Sequence, residues 1–327
     1  MLNDFLTIGG ITEDIVFFTS DGVLVDNNKD LLRQKLLAFE YGAKINIKEF
    51  GRYFGGGASN TAVNFSKMGF KVAVLAVVGK DDRTARVLDN LKKNKVDISN
   101  ITINKKESTG FSFILNNKKD RIIFTYRGVN DSLVIGPQNR KIIENSRWVY
   151  LTSLPDNYLN SLKHIFAFKN KIAWNPGLNQ LSGGIKKIEY FLKKTEILVI
   201  NKDEGLEIVK KDKRFKKKSD EFLNKSENLI QILKKLGPQI VILTDGINGA
   251  YFYDGNNFYH QKIIKNQNRI DTTGVGDAFG STVVAFLDRF NGDYKKAMFL
   301  GVKNVASVVS KSGAQNGLLT SKKLLAK

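Results

Sequence analysis

Residues 72–79 read Val-Ala-Val-Leu-Ala-Val-Val-Gly, seven apolar residues with no polar interruption. A strand with one face in water alternates apolar and polar side chains, so a strand apolar throughout needs cover on both faces. Similar short runs occupy 5–9, 148–153, 172–175, 197–201, 240–244 and 250–253. Between them lie helical patterns around 59–68, 84–94, 156–168, 185–193, 204–211 and 227–236. Apolar strands alternating with helices predict an α/β fold, a mostly parallel sheet layered between helices. Several runs end in small or polar residues, Gly79, Ser153, Asn175, Asn201 and Thr244. Open α/β sheets bind ligands at the carboxyl ends of their strands, so these residues are expected to line one crevice.

Three segments break the alternation. Residues 44–50 have a short period of two, while 110–115 and 121–126 flank a turn at 116–120 and read as a hairpin. With 14–19 they predict a small antiparallel sheet inserted in the body, built from approximately 12–20, 43–54 and 98–127. Projecting from a binding edge, such a sheet acts as a lid that excludes water. With no linker and no internal repeat, 1–327 is expected to be one α/β domain.

Composition narrows the setting. No apolar run approaches the ~18 residues of a membrane span, and the first ten residues lack a basic leader and read as a strand. A cytoplasmic protein without membrane attachment is the expectation. Cysteine is absent, which removes disulfides and thiolate metal sites. The formal net charge is +20. The lysines are scattered along the chain, and the one concentration, at 210–218, is not interleaved with the aromatics of a single-strand binder. We therefore read the charge as solvated faces rather than a nucleic-acid footprint.

The chemistry concentrates at 269–287. Phe279, Val283, Phe286, Leu287 and Phe290 mark one face of a helix, and Gly274 and Gly276 sit at its start. Amides at a helix start lack intrahelical partners and carry positive potential, so Gly274, Val275 and Gly276 read as an anion cradle. Asp277 lies inside the first turn, where the helix should keep it ionised and able to accept a proton. A phosphoryl group on those amides would place its reacting end beside this carboxylate. The same residues could equally be a turn with a favourable first-turn acid.

Other clusters share the predicted edge. Gly55, Gly56 and Gly57 precede a helix that begins near Ser59, and Asn60 projects from its first turn with donor and acceptor groups suited to hydroxyls. Asp14 follows the first strand and can accept hydrogen bonds from a sugar. Asn201 and Glu204 fit either a capping box or the water-mediated grip of Mg2+. Thr244, Gly246 and Gly249 form a strand-end loop suited to lie along a nucleotide. The chain has no P-loop pattern and no G-x-G-x-x-G, and its two histidines, His164 and His260, have no motif around them. A P-loop phosphate site, a Rossmann dehydrogenase, a Ser/His/Asp hydrolase and a histidine metal site thus find no support.

Together these residues resemble the ribokinase-like (PfkB) family of sugar and nucleoside kinases, from Leu6 to about Leu319. Residues 270–279, Ile-Asp-Thr-Thr-Gly-Val-Gly-Asp-Ala-Phe, are similar to the family's second signature, with Val275 where alanine is usual. Residues 55–60 resemble the first, and Asn201-x-x-Glu204 and Thr244-x-Gly246-x-x-Gly249 follow in the expected order. The resemblance implies a three-layer ribokinase-like fold and an ATP- and Mg2+-dependent kinase. Asp277 would be the base and the 274–276 amides the anion hole. Asp14, Gly56 and Asn60 would bind the acceptor. Asn201, Thr244, Gly246, Gly249 and Asn304 would line the ATP site, and Glu204 would hold Mg2+ through water. Asp271 would either support a monovalent cation such as K+ or shape the turn. The lid would also serve as a homodimer interface. Thr152 stands where ribokinases carry a sugar-binding glutamate, which turns the expectation from ribose toward fructose, another hexose or a nucleoside. For a nucleoside, Phe17, Phe111 or Phe113 of the lid would stack on the base.

Overall fold

The computed structural model of the chain describes residues 2–27, 35–117, 120–265 and 269–326. The strands in chain order are β1 (Asn3–Ile8), β2 (Thr12–Phe18), β3 (Val23–Asp26), β4 (Lys35–Ala38), β5 (Glu49–Gly55), β6 (Val72–Val78), β7 (Ile101–Ile103), β8 (Gly110–Asn117), β9 (Asp120–Tyr126), β10 (Ser146–Leu151), β11 (Lys171–Trp174), β12 (Ile197–Asn201), β13 (Ile240–Thr244), β14 (Ala250–Tyr253) and β15 (Phe258–Gln261). The longer helices are α1 (Gly57–Lys67), α2 (Asp82–Lys93), α3 (Tyr158–Ile165), α4 (Ile185–Leu192), α5 (Lys202–Lys210), α6 (Ser226–Lys235), α7 (Val275–Arg289) and α8 (Tyr294–Val308).

Nine strands form one sheet in the order β15-β14-β13-β12-β11-β10-β1-β6-β7. Its pairs are parallel except those made by β14, which runs against β13 and β15. The expected runs supply its centre, and period-two alternation divides each between two cores. Along β6, Val74, Ala76 and Val78 enter the core beneath α1, α2, α7 and α8, while Ala73, Leu75 and Val77 enter the core beneath α3, α4, α5 and α6. All seven residues of the run are buried. This is the expected three-layer fold.

A second sheet has the order β5-β2-β8-β9, and β3 pairs with β4 apart from both. In the small sheet Asp14 lies opposite Tyr53 on one side and Ser112 on the other. Its root is fixed to the body. Ile11 N donates to Asn130 Oδ1 at 3.0 Å, and Asn130 Nδ2 donates back to Ile11 O at 3.0 Å. The buried carboxylate of Glu13 takes Arg86 Nε at 2.6 Å and Nη2 at 3.0 Å.

Two boundaries differ from the sequence reading. Residues Ile101–Ile103, counted there with the lid, pair instead with β6 and extend the large sheet. Of residues 44–50 only the last two are strand, because β5 begins at Glu49. The hairpin turn at 116–120 falls partly outside the described residues. The basic concentration at 210–218 carries its own counter-charges, since Lys210 pairs with Asp220, Lys211 with Glu207, and Arg214 with Asp212 and Glu189.

Candidate active site

Gly274 caps the start of α7 in the left-handed conformation, with φ 72° and ψ 7°. A side chain there would be strained, and its Cβ would stand 2.3 Å from Ala314 Cβ. Around Gly276 a Cβ would meet nothing within 4 Å, so the helix start is open at this residue, while Val275 N lies 3.5 Å from Thr272 O in a long turn hydrogen bond. The carboxylate in the first turn, Asp277, accepts a 2.8 Å hydrogen bond at Oδ2 from Asn60 Nδ2, in the first turn of α1. Both helices therefore point their N-termini at one place.

Burial pushes the Asp277 carboxyl up from 3.8 to about 6; the Asn60 hydrogen bond opposes this and the nearby Asp14 carboxylate adds to it. At neutral pH the group is still mostly ionised, but far more basic than a surface aspartate. Asp14 is buried on β2 and its pKa is also raised, mainly by burial, against hydrogen bonds from Ser112 and Thr12. Thr12 Oγ1 donates to Asp14 Oδ1 at 3.1 Å. The arrangement brings two carboxylates within electrostatic reach of each other at the junction of the small sheet and the body, one of them in the first turn of a helix. It can receive a proton from a hydroxyl and hold a transferred anion.

Gly56 makes this close approach feasible, since at φ 89° its Cβ would lie 2.4 Å from Gly10 O. Thr152, at the end of β10, is buried beside the same junction. Its hydroxyl proton goes to Ile8 O at 2.9 Å, and a Cβ on Gly9 would stand 1.9 Å from its Oγ1. Thr152 thus fills the floor and directs its proton to the backbone.

Asn201 and Thr244 are register partners at the ends of β12 and β13. Asn201 Oδ1 accepts from Glu204 N at 2.9 Å and Glu204 Oε2 accepts from Asn201 N at 3.0 Å, the reciprocal capping box. Burial raises the pKa of Glu204. Gly246 and Gly249 hold positive φ of 52° and 95° in the loop after β13, and a Cβ on Gly246 would meet open space. Lys202 Nζ and Ser226 Oγ both reach Asp245 Oδ2, at 3.3 and 2.8 Å, and steady that loop.

Two further residues named from the sequence are held by several close partners. Asn304 is fully buried within α8, where its Nδ2 donates to Asn64 Oδ1 at 3.0 Å and Thr282 Oγ1 at 2.8 Å, and its Oδ1 accepts from Leu319 N at 2.9 Å. It joins α1, α7 and α8. Asp271 shapes the turn before α7, taking Thr273 N and Oγ1 at 2.8 and 2.7 Å and Gly313 N at 2.9 Å. Among the described residues no group of three or more His, Asp or Glu side chains converges to hold a metal. Phe17, Phe111 and Phe113 lie on the strand positions that alternate with Asp14 and Ser112. They pack on one another and beneath Arg83, on the side of Glu13 and away from the acceptor junction.

The sequence reading missed Gln315, Asn64 and Lys202. Asn64 follows Asn60 by one helical turn and was available from that spacing; it ties α1 to Ser281 Oγ at 2.7 Å. Gln315 sits in a loop with no local periodicity, and only the fold brings it to Asn60.

A family profile described as pfkB family carbohydrate kinase matches residues 29–321. An ATP-dependent 6-phosphofructokinase of Thermoanaerobacterium thermosaccharolyticum is 24% identical over 284 residues, 81% of this chain and 84% of that protein. A nucleoside kinase of Methanocaldococcus jannaschii is 24% identical over 286 residues, covering 86% and 87%. The solved structure of Arabidopsis thaliana ribokinase, complexed with ribose and ATP, superposes with a TM-score of 0.79 at 17% identity over 99% of this chain and 98% of that one.

Proposed function

Because this chain belongs to the pfkB family of carbohydrate kinases, we propose that it moves the γ-phosphoryl group of ATP onto a hydroxyl of a small sugar. The observation that carries the reading is the Asp277 carboxylate, held at a helix start by Asn60, its pKa raised to about 6.

The acceptor lies between Asp14, Gly56 and Asn60 on one side and Asp277 on the other. Asp277 takes the hydroxyl proton as the oxygen attacks phosphorus; the transition state is loose, so a weak, well-placed base suffices. The amides of Gly274, Val275 and Gly276 stabilise the charge on the transferred group, and Val275 serves there through its backbone. ATP runs along Asn201, Thr244, Gly246 and Gly249. Mg2+, when bound, neutralises phosphate charge; the oxygen donors of Glu204 and Asn201 suit a hydrated ion at this edge, reached through water. The Asp271 carboxylate already organises its turn, and a K+ ion beside it would add to that role.

Exposed Phe50, Phe113, Ile123, Phe124 and Tyr126 on the small sheet support its pairing with a second copy of the chain. Among the described residues no helix is long and apolar enough to cross a membrane, in keeping with a cytoplasmic setting.

A nucleoside acceptor is the second reading, favoured by the relative of that name. Purified protein with Mg-ATP is to be assayed for ADP release with ribose, fructose, fructose 6-phosphate and adenosine. We expect turnover with a sugar and a loss of about 100-fold or more in Asp277→Ala. Activity confined to adenosine selects the second reading, and full activity in the variant refutes the assigned base.

A further inference from the structure

Four carboxamides run in line from the outer end of α2 to the site. Asn94 Nδ2 donates to Asn90 Oδ1 at 3.3 Å, and Asn90 Nδ2 to Gln315 Oε1 at 2.8 Å. Gln315 Nε2 donates to Asn60 Oδ1 at 3.0 Å and to Ser59 Oγ at 2.9 Å, and Asn60 Nδ2 donates to Asp277 Oδ2 at 2.8 Å. Every amide N–H2 points toward the carboxylate and every amide oxygen points away from it. Each link requires an oxygen to meet a nitrogen, and the sense is set at the outer end, where Asn94 Nδ2 also donates to the Asn90 backbone oxygen at 2.8 Å, a group that can only accept.

The sense matters at Asn60. A primary amide is nearly symmetric in shape, and a half-turn about its last bond would put the Asn60 oxygen against the Asp277 oxygen. Gln315 is buried, and its amide takes its orientation from Asn90 on the oxygen, which is itself set by Asn94, while the Ser59 hydroxyl accepts from its nitrogen. We propose that Gln315 is a positioning residue that fixes which way the Asn60 carboxamide faces, so that its N–H2 group meets Asp277. Through this link, α2 and the loop carrying Gln315 determine how readily the base holds a proton. Head-to-tail amides also polarise one another, which strengthens the final bond to the carboxylate.

The other charged or titratable groups around Asp277 are Asp14 from β2, the buried Tyr150 hydroxyl from β10 and, next to Asp14, Asp271 ahead of α7. Lys67 on α1 faces the Gln315 loop, donating to Gln315 O at 3.2 Å and Leu318 O at 3.4 Å. These groups remain in Gln315→Met, which removes only the orienting amide at similar length. Gln315→Glu keeps the acceptor for Asn90 and replaces the donor by oxygen, which draws the Asn60 N–H2 away from Asp277.

The proposal rests on Asp277 being the base, so the measurement is made on the carboxyl itself. Carbon-13 carboxyl NMR of aspartate-labelled protein, with Asp277→Asn for assignment, gives the Asp277 titration without any turnover. The pH profile of kcat is recorded alongside. We expect the midpoint to rise by about one pH unit in Gln315→Met, the size of one lost hydrogen bond to the carboxylate. It should rise further in Gln315→Glu, and the acid limb of kcat should move with it. A midpoint unchanged in Gln315→Met overturns the proposal, even if Gln315→Glu shifts it, because added charge alone would then explain the effect. If the methionine variant does not fold, an unchanged midpoint in Gln315→Glu overturns it equally. Absence of any turnover, with the NMR shift present, counts against the kinase reading and leaves the positioning role established.

Discussion

Replacing the proposed base by its neutral isostere, Asp277→Asn, should make the protein more stable while abolishing the proposed chemistry. Two effects compete at this position. A carboxylate in the first turn of a helix gains about 0.3–1 kcal/mol from the helix field, up to ~2 kcal/mol when partly buried. Removing it from water acts in the opposite direction, and at Asp277 that effect wins, since the pKa stands at about 6 against an ordinary 3.8. That difference of about 2 in pKa, at ~1.4 kcal/mol each, sets an upper figure of ~3 kcal/mol against the folded state at neutral pH. Relaxation around a buried charge lowers the working figure to ~2 kcal/mol. The sign follows from proton binding. Between pH 4 and 6 the folded protein holds the proton more tightly than the unfolded chain, so wild-type stability falls as pH rises through that window. Below about pH 4 both states are protonated and the variant gains little; above about pH 6 it gains the full amount. For 327 residues the unfolding entropy is on the order of 0.7 kcal/mol/K, so ~2 kcal/mol is about 3 °C in Tm. Urea unfolding of both proteins at pH 4, 6 and 8 tests this, with kcat measured in parallel. A variant less stable than wild type at pH 8, or a difference that does not vary with pH, would refute the reasoning and show that the helix field dominates.

Two further substitutions probe the supports of the site. Gly274→Ala forces φ 72° on a residue with a side chain and brings Cβ within 2.3 Å of Ala314 Cβ; we expect a fall in kcat of about 100-fold from displaced amides, with a destabilisation of ~2 kcal/mol by urea unfolding. Arg86→Met leaves the buried Glu13 carboxylate with Arg83 alone, 3.7 Å away, and should cost ~2 kcal/mol, less than the 3–5 of a fully orphaned charge; an unchanged urea midpoint would contradict the assigned anchor.

The parts of this fold that the sequence displays are those where one local rule decides the outcome. The run at 72–78 had to be a doubly covered strand because nothing polar interrupts it, and it is buried at every position. The glycines at 55–57 and 274–276 announced tight helix entries for the same kind of reason, steric need. Where tertiary contacts decide, local rules fail. The three residues Ile101–Ile103 are too few to show a period, and adjacency to the hairpin drew them into the wrong sheet. Strand β15 was missed because Phe258–Gln261 is an edge strand, with little burial to leave an apolar pattern. Asn304 lies four residues from Leu300 and from Val308, both buried, and that spacing marks it as inward-facing. Asp277 was legible as an acid at a helix start, but its raised pKa was not, because burial and the neighbours Asn60 and Asp14 are brought to it by the fold from more than 200 residues away.

Among the described residues, the small sheet is anchored to the body at its Ile11 and Glu13 end. Asn130 and Arg86 hold it at Ile11 and Glu13, and Asp14 is the very next residue, whereas Phe18, Leu115 and the strand beyond them lie at the far end. Such a plate behaves as a cantilever, with displacement growing with distance from the clamp. The Asp14 carboxylate therefore sits beside the anchors, where any displacement is smallest. On the acceptor-binding role proposed for it, entry of a ligand and the strength with which it is held are governed by different ends of one sheet, and selection can tune the first through the rim without disturbing the second.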